Sequence, residues 1–235
     1  MLRWRRLDPG KIDFGILRAW LGNCSECHEE KLCRPSPGAS LEGLRAINCQ
    51  TKTIEVVAPG SQYIALSYVW GTAASASSTT SAATPIPRSA SDASLPASAP
   101  LVVKDAMEVV IQLGHTYLWV DQFCINQTDV AEKSYLIANM DAIYDCAYAT
   151  IFAASGRDAS HGLPGISTRA RLPQPSALIN GTGLAAAPPD AQQAVHTSVW
   201  SSRAWVYQEA IFSTRRLFFT PAQVYFECNT AHSSE

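Results

Sequence analysis

Charge is scarce in this sequence. Of 235 residues, 18 are Lys or Arg and 20 are Asp or Glu, for a net charge of −2. No basic stripe interleaved with aromatic residues exists, so neither nucleic acid nor an anionic membrane surface is an expected partner. Long apolar runs are missing as well: no stretch reaches the length of a bilayer span, and no membrane span is expected. The opening Met1-Leu-Arg-Trp-Arg-Arg is basic, but Asp8, Lys11 and Asp13 interrupt it before any apolar h-region. It does not read as a secretory signal. The expectation is therefore a cytoplasmic chain whose seven cysteines stay reduced, and their odd number also suits thiols better than a disulfide framework. A G-x-S-x-G elbow is absent, which leaves a Ser-His-Asp hydrolase unsupported. No Gly-rich phosphate loop follows the first apolar strand, which disfavours a nucleotide or flavin carrier.

What is present suits one well-filled domain, since 47% of the residues are hydrophobic. Two punctuated segments divide it. Thr72 to Pro100 is almost entirely Ala, Ser, Thr and Pro, and buries too little to offset its conformational entropy, so a disordered insert is expected over 72–100. Gly156 to Ala194, rich in Gly, Pro and small residues, reads as a long loop over 156–194. Between them strands and helices alternate. Tyr63-Ile-Ala-Leu-Ser-Tyr-Val-Trp is an apolar run ended by Gly71; Leu101 to Leu113 has helical spacing with Gly114 behind it; Tyr117-Leu-Trp-Val-Asp is a second strand. Asp129 with Glu132 resembles a capping box ahead of a stripe at Leu136, Met140, Ile143 and Tyr144, and Ala149-Thr-Ile-Phe-Ala-Ala is a third strand. A helix from Arg203 to Phe212 and strands at Arg216-Leu-Phe-Phe and Gln223 to Cys228 complete the pattern. Such alternation implies an α/β, mostly parallel sheet with helices on both faces, with its ligand crevice beyond the carboxyl ends of the strands. Ser67 to Gly71 and Asp121 to Asn126 stand at such ends.

Three segments carry a family resemblance. Tyr63-Ile-Ala-Leu-Ser-Tyr-Val-Trp-Gly resembles the opening motif of the fungal heterokaryon-incompatibility (HET) domain. Tyr117-Leu-Trp-Val-Asp-Gln-Phe-Cys-Ile-Asn-Gln is similar to its second, continued by Asp129, Glu132, Met140, Ile143 and Tyr144. Trp200-Ser-Ser-Arg-Ala-Trp-Val-Tyr-Gln-Glu resembles its third, followed by Ser213 and Arg215. The resemblance implies an N-terminal annex over 1–60 and a HET domain over 61–230. It also implies a self/non-self signalling module that triggers programmed cell death through association with protein partners, including self-association. HET domains are in turn remotely similar to TIR domains, some of which cleave NAD. That likeness implies a three-layer, TIR/flavodoxin-like fold and an alternative reading, NAD as substrate of a nucleosidase, with no resident cofactor.

Several residues are candidates for the site. Trp205, Glu209 and Phe212 share one helix face by spacing. Glu209 either pairs with a buried Arg and holds the fold together, or is a catalytic carboxylate with a raised pKa that stabilises an oxocarbenium-like state. The TIR enzymes place a Glu on a comparable helix after a Trp-containing segment, and Glu209 fits that place. Tyr68 and Trp70 either stack on a ring of the ligand or close the core, and Asp121 either binds ribose or a partner's Arg, or caps the following turn. Ser67, Gly71 and Trp205 complete the expected binding set. Cys124, between Phe123 and Ile125, reads as a small buried hydrophobe.

The N-terminal segment holds Cys24, Cys27, His28 and Cys33. Cys24-Ser-Glu-Cys27-His28 matches the c-type haem pattern by chance. A zinc site from these four residues is chemically feasible, but the spacing is tight for one tetrahedral ion. A buried thiol cluster with a capping His, without metal, is the expectation.

Overall fold

The strand predicted at Tyr63 lies at the centre of the molecule. In this computed structural model, which describes residues 6–28, 30–33, 41, 43–71 and 93–235, β3 (Tyr63–Ser67) is buried at all five positions. It pairs in parallel with β5 (Tyr117–Trp119) on one side and β6 (Ala149–Phe152) on the other. β6 pairs in parallel with β9 (Arg215–Phe219). Each parallel step needs a crossover, and helices supply them. α3 (Leu101–Gln112) leads from β3 into β5. α4 (Asp121–Cys124), α5 (Val130–Ala138) and α6 (Met140–Cys146) lead from β5 to β6. Asp129 caps α5 as its spacing predicts, its carboxylate accepting the Glu132 N–H at 3.0 Å.

The sheet is mixed, where a mostly parallel one was expected. Its order is β11-β10-β9-β6-β3-β5-β1-β2-β4. Antiparallel ribbons flank the parallel centre: β1 (Arg45–Asn48), β2 (Thr53–Val56) and β4 (Ala93–Ser94) on one edge, β10 (Val224–Cys228) and β11 (His232–Ser234) on the other. The reason is connection length: the turns 49–52 and 220–223 are too short for a crossover, so the strands they join run antiparallel. At the first turn Asn48 Oδ1 accepts the Gln50 and Thr51 N–H groups, and Lys52 takes a positive φ of 59°.

Three further segments differ from expectation. Residues 45–56 belong to the sheet rather than to a separate annex, because Ile47 and Ile54 carry their side chains into the larger core. α1 (Phe14–Cys27) also lies on that sheet, with Trp20 stacked on Phe226 at 6.1 Å. Of the expected insert, residues 72–92 lie outside the described residues. Its last eight residues are part of the fold: β4 pairs with β2, the Leu95 N–H reaches the Lys52 carbonyl at 2.8 Å, and Ala99 is buried. The segment read as a long loop contains β7 (Ser176–Ile179), β8 (Thr182–Ala185) and α7 (Ala191–His196). Asn180-Gly181 turns the hairpin with φ of 49° and 79°, the pair of positive values that Asn-Gly accepts readily.

Alternate residues of β6, β9 and β10 enter two separate apolar clusters, one on each face of the sheet. Ile151, Leu217, Phe219, Val224 and Phe226 join the larger core with α1 and α3. Phe152, Phe218 and Tyr225 join the second with Trp200 and Val206. Trp200 lies in a 3-10 turn (Trp200–Ser202), and Val206 is the buried residue of α8 (Ala204–Phe212). Both faces are therefore covered where β6, β9 and β10 lie. Trp119 on β5 is wholly buried, edge-on to Tyr144 at 5.7 Å.

Candidate functional site

The carboxyl ends of β3 and β5 open side by side. The chain leaves β3 toward β5, then crosses back to β6 on the other side of β3. Ligand crevices of open α/β sheets form at such reversals. α8 lies across this opening and supplies Glu209.

Glu209 is held by a relay. The Ser67 hydroxyl donates to its carboxylate. The same hydroxyl accepts the indole N–H of Trp200 at 2.7 Å. Trp200 is itself fixed edge-on against Phe152 at 5.0 Å and Phe218 at 5.7 Å. Burial raises the pKa of Glu209 above the ordinary carboxyl value, while the Ser67 hydrogen bond and the Arg203 charge oppose the rise. Arg203 does not close an ion pair with it. Its Nη1 donates to the Tyr68 carbonyl at 2.8 Å, and no ion pair of Glu209 is present among the described residues.

Asp121 stands opposite. Its Oδ1 accepts the Gln122 N–H at 2.7 Å, and the Trp70 side chain is a second hydrogen-bond partner. Burial first, and then the charge of Glu209, push its carboxyl up to about 7; the two hydrogen bonds and Arg203 act the other way. Burial and the neighbouring Glu209 charge thus act together against ionised Asp121.

Between them lies a cavity of about 380 Å³, lined among others by Trp70, Asp121, Tyr144, Arg203, Trp205 and Glu209. That size suits a small ligand or one end of a larger one. Phe212 also lines it, so the helix face expected from spacing at Trp205, Glu209 and Phe212 is the cavity face. Trp205 is 64% exposed and forms the rim.

The expected binding residues divide. Trp70, Asp121 and Trp205 line the cavity. Ser67 does not: it is buried behind Glu209 and touches the carboxylate rather than the space. Tyr68 is a core aromatic whose hydroxyl donates to Gln122 Oε1 at 2.7 Å. Gly71 faces Asp158. With φ at +89° and a Cβ position 2.6 Å from Asp158 Cβ, it permits a close approach of two loops. Cys124 is wholly buried, and burial pushes its thiol up to about 12, so it packs and does not react.

Arg203, Trp200 and Tyr144 escape a reading from spacing alone. Arg203 precedes the first turn of α8 and Trp200 sits in the 3-10 turn, so neither belongs to the helical face that singles out Glu209. Their signal is membership of the Trp200-Ser-Ser-Arg-Ala-Trp segment. Tyr144 reads as one more core residue of its stripe.

Among the described residues, those able to hold a metal form a different group. Cys24, His28, Cys33 and Cys228 bring their ligand atoms within 4.8 Å of one another. Cys27 is exposed and takes no part.

Comparison with known proteins agrees with the three motifs. A family model described as "Heterokaryon incompatibility protein (HET)" matches residues 63–209. A Neurospora crassa protein, "Heterokaryon incompatibility protein 6, OR allele", is 30% identical over 146 residues, which are 55% of this chain and 20% of that protein. The aligned part thus spans about a fifth of that relative's length. No solved structure matches significantly. The matched span begins at the first residue of the central strand and ends at Glu209, and the chain belongs to the heterokaryon incompatibility (HET) family.

Proposed function

We propose that this chain is a fungal self/non-self recognition module of the heterokaryon-incompatibility type, which acts in the cytoplasm and signals cell death through association. The observation that carries association is α8. Its one buried residue is Val206, while Tyr207 and Ile211, one turn apart and off the cavity face, are 71% and 57% exposed. Large apolar side chains grouped on one exposed helix mark contact surfaces in monomers. The occupant proposed is a second copy of the chain. Analytical ultracentrifugation tests it: self-association is expected to rise with concentration and to vanish in a Tyr207→Glu/Ile211→Glu variant. A wild type that stays monomeric at all concentrations rules out this surface.

The cavity supports a second reading, in which the module is also a death effector that cleaves NAD. Glu209 and Asp121 face each other across a space bounded by Trp70 and Trp205. In that reading the aromatic rings hold nicotinamide and the Glu209 carboxylate binds the ribose hydroxyls. As the bond from C1′ to the nicotinamide nitrogen breaks, its electron pair leaves with neutral nicotinamide, and the carboxylate stabilises the oxocarbenium left behind. Water adds to C1′, and the carboxylate form of Asp121 takes the proton released, giving ADP-ribose. Incubating the protein with NAD and measuring free nicotinamide tests this, with Glu209→Gln as control. The amide keeps an acceptor for the Ser67 hydroxyl, so the fold is expected to survive while turnover is lost. Absence of nicotinamide from folded wild-type protein removes the second reading and leaves the first.

A further inference from the structure

We infer that Cys24, His28, Cys33 and Cys228 form a structural zinc site that locks the N-terminal helices to the edge of the sheet. Three of the four residues lie close together near the N-terminus, and the fourth, Cys228, stands 200 residues beyond His28. Cys24 is in the last turn of α1, and His28 is its C-cap residue. Cys33 ends α2 (Glu30–Cys33), and Cys228 ends β10. Spacing of one helical turn explains why Cys24 and His28 are neighbours, but nothing local requires Cys228 to join them, yet all four ligand atoms lie within 4.8 Å of one another. Tetrahedral zinc with bonds of about 2.3 Å to sulfur and about 2.0 Å to nitrogen sets its ligand atoms roughly 3.5–3.8 Å apart. The measured spacing lies a short contraction away, and His28 Nδ1 already stands 3.4 Å from Cys228 Sγ.

The surroundings supply what thiolates need. The Ala231 N–H donates to Cys228 Sγ at 3.3 Å. Arg215 Nε donates to Cys24 Sγ, also at 3.3 Å. The Thr230 hydroxyl lies 2.7 Å from His28 Nδ1 and 3.5 Å from the sulfurs of Cys33 and Cys228, placed to donate to a thiolate once the nitrogen is engaged. Donors of this kind orient and stabilise metal-bound sulfur.

Arg215 is the independent argument. Its side chain is buried. Its remaining donors reach the Tyr148 and Cys33 carbonyls, and its guanidinium lies 4.9 Å from the Tyr148 ring centre. Among the described residues no carboxylate pairs with it. A buried cation without a counter-charge is costly. Three thiolates and a neutral imidazole around a divalent ion leave one negative charge, and Cys24, one of those thiolates, is the atom Arg215 touches. Four protein ligands leave no open position, so the site is structural and does not activate water.

The test is metal content and coordination of the whole chain. Protein purified without chelator is expected to carry about one zinc ion per chain by mass spectrometry of the metals, as a closed site binds one ion. A mercurial thiol reagent should release it and lower the melting temperature. Cys27→Ser is expected to keep the metal and Cys228→Ser to lose it. Should Cys228→Ser fail to fold, cobalt added to the demetallated wild type decides: tetrahedral thiolate coordination gives intense d–d bands with sulfur-to-metal charge transfer. Wild-type protein that neither retains nor takes up zinc overturns the inference, as does zinc kept by a folded Cys228→Ser variant. A weak octahedral cobalt spectrum overturns it as well.

Discussion

Trp200 and Ser67, 133 residues apart, are joined by an indole N–H to hydroxyl bond of 2.7 Å. That bond occupies a lone pair of the hydroxyl and turns its proton toward Glu209. The carboxylate is thereby oriented from the core outward. Ser67→Ala leaves the indole N–H without an acceptor and the carboxylate without its donor, which costs about 1–3 kcal/mol. In a chain of this size that is roughly 2–12 °C in melting temperature. A melt unchanged by Ser67→Ala would mean the relay carries no energy.

Asp121 gives a pH signature. Its pKa is raised from 3.8 to about 7, chiefly by burial. In that window the native state binds a proton that the unfolded state has lost, so stability falls as pH rises from about 4 to 7. Asp121→Asn removes this dependence: the variant should melt higher than wild type at pH 8, with the gap closing as pH is lowered toward 4. Parallel pH profiles for the two proteins would show that Asp121 is not held in this state.

Gly71 and Asp158 should behave as a coupled pair. Gly71→Ala places a methyl 2.6 Å from Asp158 Cβ at a backbone φ of +89°. Conformation alone costs about 1–2 kcal/mol, and the clash adds to it. In an Asp158→Gly background the clash is gone, so Gly71→Ala should cost less there. A double-mutant cycle by chemical denaturation measures the difference. Additive costs would place the two residues apart.

Trp119→Ala opens a large hole beneath Tyr144 and is expected to cost on the order of 3–5 kcal/mol. Trp119→Phe should cost much less. It keeps a ring against Tyr144 and removes an indole N–H that has no hydrogen-bond partner among the described residues. Urea titrations of both variants check the order, and equal losses would contradict it.

The contrast between local and distant information explains what the sequence discloses. The strands at Tyr63, Tyr117 and Ala149, the Asp129 cap and the face shared by Trp205, Glu209 and Phe212 all depend on spacing within one turn or one strand. The sheet edges do not. β1 and β2 are only four residues each, below the length at which alternation stands out. The Asn180-Gly181 signal was present but lay inside a Gly- and Pro-rich stretch that reads as loop. The site was half legible: motif membership pointed to Glu209, Asp121 and Trp70. Only the fold shows that Ser67 stands behind Glu209, that Tyr68 turns into the core, and that Arg203 binds a carbonyl rather than the carboxylate. Cys228 lies 200 residues from His28, and no local pattern could pair them.

Association of this chain is proposed to signal death. Its most direct test is inducible expression in a filamentous fungus of the chain fused to a drug-dependent dimeriser, with viability scored by a vital dye. The account predicts few dead cells before the drug and widespread death after it, with no death from the dimeriser alone. Folded, expressed protein that leaves cells equally viable with and without the drug would contradict it.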